Sequence, residues 1–136
     1  MKNFAYYAAL PDSMPHEVLG AEFTELLDEL ESHGIDGAEF AKSLLELSDR
    51  QWHTYHVLNT VLKARVEHGL MSIWDGHDLG LVEDVIGVMV RLGLEGINTF
   101  LASCSQKDVS PQVFNEILLT LSELHGSVLD PYSGMR

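Results

Sequence analysis

The sequence predicts an all-α fold, a single compact bundle of five to six helices. Three observations carry that expectation. Apolar residues recur at spacings of three and four along most of the chain, as in helices with one buried face. No stretch alternates apolar and polar residues as a half-buried strand would, and no Asn-Gly hairpin signal occurs. Glycine and proline fall between the periodic segments, where helices start and stop.

The first segment, Phe4 to Leu10, is apolar and aromatic and closes at Pro11. Its pattern fits a short helix and an extended segment equally. A clear helix starts near Pro15, with Ser13 as cap and proline in the first turn. Val18, Phe23, Leu26, Leu27 and Leu30 mark its buried face, and Gly34 ends it in the left-handed conformation. Asp36-Gly37-Ala38-Glu39 has the form of a capping box, with Glu39 reaching back to the cap residue. It opens a helix that buries Phe40, Ala41, Leu44, Leu45 and Leu47. Ser48-Asp49-Arg50-Gln51 repeats the signal, so the chain is expected to turn there and start another helix. That helix places Trp52, Tyr55, Leu58, Leu62 and Val66 on one stripe and stops at Gly69.

Asp75-Gly76-His77-Asp78 is turn chemistry, with an acid available to cap the next helix. Leu81 to Leu92 is apolar on nearly every side, broken by Glu83, Asp84, Gly87 and Arg91. Such a helix belongs in the middle of a fold. Gly93 closes it, and a short helix from Glu95 to Ser103 buries Ile97, Phe100 and Leu101. Ser110-Pro111 opens the last helix, with Val113, Phe114, Ile117, Leu118, Leu121 and Leu124 facing inward and Gly126 as its stop. Ser127 to Arg136 is expected to be a loose tail. No repeat or linker divides the chain, so 1–136 is expected to form one domain.

Composition narrows the function. A chain of 136 residues can bury roughly two-thirds of its unfolded surface and needs no disulfide or metal to fold. Cys104 has no second cysteine to pair with, which fits a reducing compartment. With Phe100 and Leu101 at helical spacing, it reads as a buried structural thiol. Lys2 is followed only by Phe4 to Leu10 before Pro11 and Asp12, so no secretory leader is expected. No stretch approaches the ~20 apolar residues of a membrane span. A cytoplasmic protein is expected, with no membrane association.

The charge is the unusual feature: 21 acids against 8 bases, or −13. Residues 12–49 hold eleven acids and a single base, Lys42, and so carry −10 of that total. Glu22, Glu25 and Glu29 follow one another at spacings of three and four, which is expected to stack them on an exposed ridge opposite the leucines. Glu39, Glu46 and Asp49 do the same on the next helix. With Asp28 and Asp36, these are the candidate partner-binding residues. Like charges at such spacings cost a helix a few tenths of a kcal/mol per pair. A surface selected for stability alone would interleave lysines; a merely solubilising surface is the competing reading. A field of this sign repels nucleic acid and anionic membrane and attracts basic proteins.

Catalytic signals are sparse. His53 and His56 lie three apart in what reads as a helix, a spacing that can put two imidazoles on one metal. Glu67 or the Asp75-His77-Asp78 turn would have to complete such a site. There is no His-Glu-x-x-His run, no cysteine pair, no calcium-loop ligand series and no Gly-x-Ser-x-Gly elbow. No enzyme activity and no cofactor are expected. Trp52, Trp74 and Tyr55 read as core or half-buried packing, and Met71, Ile73 and Trp74 as the candidates for an apolar contact beside the acids.

Residues 47–104 carry a resemblance. Leu47-Ser48-Asp49-Arg50-Gln51-Trp52 with Tyr55, then Glu67-His68-Gly69-Leu70, Ile73-Trp74-Asp75 and Arg91-Leu92-Gly93-Leu94 stand in order along the chain. This run resembles the small acidic helical family that includes a bacterial DNA-mimic protein. Members carry two glycines, an Asn and a Phe where this chain has only Gly69. The resemblance implies an acidic helical protein that imitates DNA, or a relative serving in toxin immunity. Charge and resemblance lead to one expectation: an inhibitor that occludes the nucleic-acid surface of a basic protein. That protein would be a DNA-binding regulator, a nuclease toxin or a nucleic-acid-guided defence complex, with no direct binding of nucleic acid. Two rival expectations are a metal-dependent enzyme using His53 and His56, and a plain helical subunit of a larger assembly.

Overall fold

A computed structural model describes residues 2–124. Among them the regular structure is entirely helical, in seven helices where the spacing predicts five to six. In chain order these are α1 (Phe4–Ala8), α2 (His16–Glu31), α3 (Gly37–His53), α4 (Thr60–Ile73), α5 (Leu79–Leu92), α6 (Glu95–Ser103) and α7 (Pro111–Leu124). No helix of the described residues is long and apolar enough to cross a membrane. The hub is α3, which packs most extensively on α5 and then on α2 and α1. On its other flanks α5 carries α6 and α7, and α4 lies along α2.

The seventh helix is α1, the segment whose pattern fits helix and extended chain alike. Five residues are too few to hold a helix alone, so its ends are held by others. Asn3 caps its start by accepting from the Tyr6 N–H at 3.1 Å. A carboxylate oxygen of Glu39 accepts the Phe4 N–H at 3.1 Å. At the far end the guanidinium of Arg50, 4% exposed, donates to the carbonyls of Ala8, Leu10 and Pro11. Thus α3 sets an acid at the positive end of α1 and a base at its negative end, the favourable order for the helix dipole.

Tyr7 anchors α1 in the core with its hydroxyl buried and unpartnered. Burial pushes the phenol up from 10.0 to about 12. Above pH 10 the unfolded chain therefore ionises first, and stability falls as pH rises from 10 towards 12, by about 2 kcal/mol for this group. Tyr7→Phe removes that alkaline loss. At neutral pH it leaves stability equal or about 1 kcal/mol higher, because an unsatisfied buried hydroxyl is lost. Urea titrations at pH 8 and pH 11 check this; equal alkaline losses in both proteins would assign the effect to another group.

Several expected boundaries move, each for a local reason. Pro15 takes the cap position of α2 without a side-chain bond, so Ser13 does not cap it. Leu19 is buried in place of Val18, which is 47% exposed. The left-handed residue after α2 is His33, with φ 62°, not Gly34. The Gly34 N–H then reaches back to the Glu29 carbonyl at 2.7 Å. A side chain at Gly34 would collide with the Glu29 carboxylate. Asp36 does cap α3, accepting from Glu39 N–H at 2.9 Å, but Glu39 serves α1 and does not close the box.

The largest correction is at Ser48, where the local signal predicts a turn. The chain stays helical to His53, and the buried Ser48 hydroxyl donates back to the Leu44 carbonyl at 2.7 Å. The break comes at Tyr55, left-handed with φ 58°. Asn59 then caps α4, accepting from Leu62 N–H at 2.8 Å. The stripe from Trp52 to Val66 therefore does not exist as one face: Leu58, Leu62 and Val66 are buried, Trp52 is half-buried, and Tyr55 is 66% exposed. Gly69 sits inside α4 and does not end it. A Cβ there would lie 3.1 Å from Leu30 and 3.3 Å from Phe40, so this glycine permits close packing of α4 on α2 and α3.

The second half follows the expectations more closely. Asp78 caps α5, Gly93 closes it with φ 71°, and α6 spans the expected residues. Five of α5's apolar residues are completely or almost completely buried, with Val82, Val88 and Met89 at 0%. In α7, Val113 and Ile117 are buried and Phe114 and Leu121 half-buried. Leu118 is not inward; it is 50% exposed, and Thr120 is buried instead. The expected inward side chain of Leu124, the stop at Gly126 and the tail 127–136 lie outside the described residues.

Candidate protein-binding face

The helix α2 carries six carboxylates (Glu17, Glu22, Glu25, Asp28, Glu29 and Glu31) and no lysine or arginine. Its buried stripe is Leu19, Phe23, Leu26 and Leu27. At 100° per residue, Glu17, Glu25 and Asp28 project from the opposite side, with Glu29 on the flank towards α1 and Glu31 on the flank towards α4. The side chains of Glu17, Glu25, Asp28 and Glu31 are 74%, 50%, 65% and 56% exposed.

Glu22 does not belong to an exposed ridge. It is buried against α1, with 8% exposure, because its angle turns it under the flank. It accepts from the Lys2 ammonium at 2.9 Å and from the Tyr6 hydroxyl at 2.5 Å. Lys2 also donates to Glu25 at 2.7 Å, and that bond first, then those with Tyr6 and Glu22, holds the ammonium well above its usual range. Glu22 is thus a support under the acidic face. Arg65 of α4 plays the same part on the other flank, donating to Glu31 at 2.8 Å and Asp28 at 3.0 Å. Its hydrogen bonds to Glu31 and then Asp28 raise the guanidinium above its ordinary value.

These two cations are the countercharges that α2 lacks along its own length. They touch four of the six carboxylates, which among the described residues leaves a surplus of four negative charges on the helix. Glu17 lies 3.4 Å from His16, and Glu29 lies against Gly34.

The other expected face, on α3, does not join this one. Asp36 is spent on its cap and Glu39 on α1. Glu46 pairs with Arg50 at 2.7 Å, and Asp49 accepts from Arg91 of α5 at 3.3 Å. Of the residues expected to bind a partner, Glu25 and Asp28 share the exposed side of α2 with the half-buried Glu29 on its flank; Glu22 is buried beneath it, and Asp36, Glu39, Glu46 and Asp49 stand at the start of α3 and along it, each also making a contact within the fold. Glu17 and Glu31, not singled out from the sequence, complete the surface. Their signal was present as spacing, since Glu17, Asp28 and Glu31 recur at helical intervals.

The metal-enzyme arrangement is not assembled. His53 is the last residue of α3, with its Nδ1 2.7 Å from the Asp49 carbonyl. His56 lies beyond the left-handed turn at Tyr55 and stacks on His16 at 4.2 Å. The two imidazoles therefore never share a helix face. Glu67 accepts from the Ile97 N–H at 3.2 Å at the start of α6, and Asp75 accepts from His77 N–H at 2.9 Å. Among the described residues no group of three or more His, Cys, Asp or Glu converges on a possible metal position.

Cys104 is half-buried, its thiol pointing to the Phe100 carbonyl at 3.6 Å. Burial first, then the charge of Asp108, raises the thiol above its usual range, which keeps it protonated and unreactive. Trp74 packs edge-on against Phe100 with ring centroids 5.1 Å apart, and Ile73 covers Gly37. Of the three residues considered for an apolar contact, Met71 alone is exposed, at 37%. Comparison with family models, with curated proteins and with solved structures finds no match.

Proposed function

We propose that the protein is an acidic inhibitor that binds a basic, nucleic-acid-binding protein through the outer face of α2. Its mechanism is occlusion: carboxylates occupy the groove that otherwise holds phosphates. No covalent chemistry is involved. The single observation that carries this reading is the run of six carboxylates on α2, reached among the described residues by two cations, Lys2 and Arg65.

Magnitudes decide what the helix can imitate. From Glu17 to Glu31 the backbone rises about 21 Å, over which the four exposed carboxylates average about one per 7 Å. One strand of duplex DNA carries a charge every 3.4 Å or so, and the duplex twice that density. The face therefore carries about half the linear charge density of one phosphate backbone and falls further short of a whole duplex. A positive groove that tracks a single strand is the complementary surface. The resemblance of residues 47–104 to a family with a DNA-mimic member points the same way. The partner would be a DNA-binding regulator, a nuclease toxin or a nucleic-acid-guided defence complex.

Affinity capture from lysate of the native host tests the reading. At about 50 mM salt a basic protein is expected on the column, and both about 500 mM salt and added DNA or RNA should release it. A partner that withstands salt and nucleic acid alike would be held by an apolar interface and would overturn the proposal in favour of a subunit of a larger assembly.

A further inference from the structure

The two countercharges of the acidic face are held differently. Arg65 lies inside α4 and bonds two exposed carboxylates, Asp28 and Glu31. Lys2 precedes Asn3, the cap of α1, so its backbone belongs to no helix. Its ammonium bonds Glu25 at 2.7 Å and Glu22 at 2.9 Å, and lies 4.4 Å from the centre of the Tyr6 ring. The two carboxylates differ in turn: the Glu22 side chain is 10% exposed and the Glu25 side chain 50%.

The bond to Glu25 can break without unmaking the fold. Glu39 still accepts the Phe4 N–H, Tyr7 stays in the core and Arg50 still grips the carbonyls after α1. Glu22 keeps the Tyr6 hydroxyl, and the Lys2 ammonium keeps Glu22 and the Tyr6 ring, a cation–π contact. We propose that the Lys2–Glu25 bond is an autoinhibitory contact: Lys2 holds Glu25 in cis, and a lysine or arginine of the basic partner has to take Glu25 from it. This rests on the reading of α2 as the partner-binding face.

Glu25 projects from the outer side of α2 with Glu17 and Asp28, so Lys2 withholds one of the four exposed carboxylates of the face. An exposed ion pair is formed about 60–85% of the time. The face is then fully open about 15–40% of the time, and its apparent affinity for a cation at Glu25 falls by about two- to sixfold. Because Lys2 is tethered, its competition does not weaken on dilution as an intermolecular contact would. Chemistry that removes its charge, such as acylation of the ammonium, opens the face.

Calorimetric titration of the full-length chain with a decalysine peptide at about 20 mM salt tests it. Lys2→Met should bind the peptide about two- to sixfold more tightly than the parent, with unchanged helical circular dichroism. Lys107→Gln changes the net charge equally at an exposed position between α6 and α7, and should shift affinity by less than about 1.5-fold. In a Glu25→Gln background the gain from Lys2→Met should vanish. Lys2→Gln, which keeps a donor for Glu22, should give the same gain if Lys2→Met disturbs α1. Equal gains for Lys2→Met and Lys107→Gln, or a gain that survives Glu25→Gln, overturn the proposal in favour of a plain effect of net charge. Peptide binding that ignores neutralisation of Glu17, Glu25, Asp28 and Glu31 removes the α2 face and this contact with it. Binding that needs those acids but is indifferent to Lys2→Met overturns the autoinhibitory contact alone.

Discussion

Arg50→Ala is expected to lower the thermal midpoint by about 10–25 °C. The guanidinium is 4% exposed and makes six hydrogen bonds to four carbonyls and one carboxylate. The Glu46 carboxylate lies at 2.7 Å, the Glu46 and Leu10 carbonyls at 2.9 and 2.8 Å, and Ala8 and Pro11 at 3.3 and 3.1 Å. Removing one member of a buried ionic group typically costs about 3–5 kcal/mol, since the partners stay behind desolvated. Each kcal/mol moves the midpoint of a domain of this size by roughly 3–5 °C. The loss is a large fraction of the ~5–15 kcal/mol that holds such a fold together.

Arg50→Lys should fall between parent and alanine variant, because a single ammonium cannot reach carbonyls on both sides of the loop as a planar fork does. Glu46→Gln keeps an acceptor in place and should cost about 1 kcal/mol. Thermal denaturation followed by circular dichroism ranks the three. A midpoint for Arg50→Ala within 3 °C or so of the parent would mean that α1 is not held by this latch.

Arg50 also shows why part of the structure is legible in the sequence and part is not. The all-helical class, the cap Asp36, a capping acid in the Asp75–Asp78 turn, the closing Gly93 and the bounds of α6 depend on residues within a turn of one another, and each is read correctly from spacing. Ser48-Asp49-Arg50-Gln51 has the same local grammar as a true cap, but its polar groups are satisfied within the continuing helix and by distant partners. The Ser48 hydroxyl bonds within its own helix, Arg50 reaches back some forty residues to the α1 loop, and Asp49 reaches Arg91. A local signal that is satisfied by tertiary contacts loses its power to break a helix.

The acidic face is legible only halfway for the same reason. The concentration of charge on residues 12–49 is visible by counting. The count omits that Lys2 and Arg65 arrive from outside α2, at separations of 20 to 37 residues. It also omits the rotation that turns Glu22 inward and leaves Glu17, Glu25, Asp28 and Glu31 outside. The glycines divide in the same manner: Gly93 is used for its backbone freedom, which local pattern announces, whereas Gly69 is used for its missing side chain, which only packing explains.

That rotation separates binding from folding and yields the sharpest test of the α2 face. Neutralising Glu17, Glu25, Asp28 and Glu31 together (to Gln, Gln, Asn and Gln) is expected to weaken partner binding by about 30- to 900-fold. Each exposed charge contact contributes about 0.5–1 kcal/mol, so four contribute about 2–4 kcal/mol. The salt dependence of binding should flatten at the same time. Stability should change by less than about 1 kcal/mol, because the exposed ion pairs lost to Lys2 and Arg65 are offset by relief of like-charge repulsion along the helix. Glu22→Ala should behave in the opposite way. It strips buried partners from the Lys2 ammonium and the Tyr6 hydroxyl, lowering stability by about 1–3 kcal/mol while changing binding of the folded protein by less than about threefold. Calorimetry with the captured partner, beside urea titrations of both variants, reads the two quantities separately. A quadruple variant that binds as tightly as the parent removes α2 from the interface, and a Glu22→Ala variant that loses binding without losing stability would return Glu22 to it.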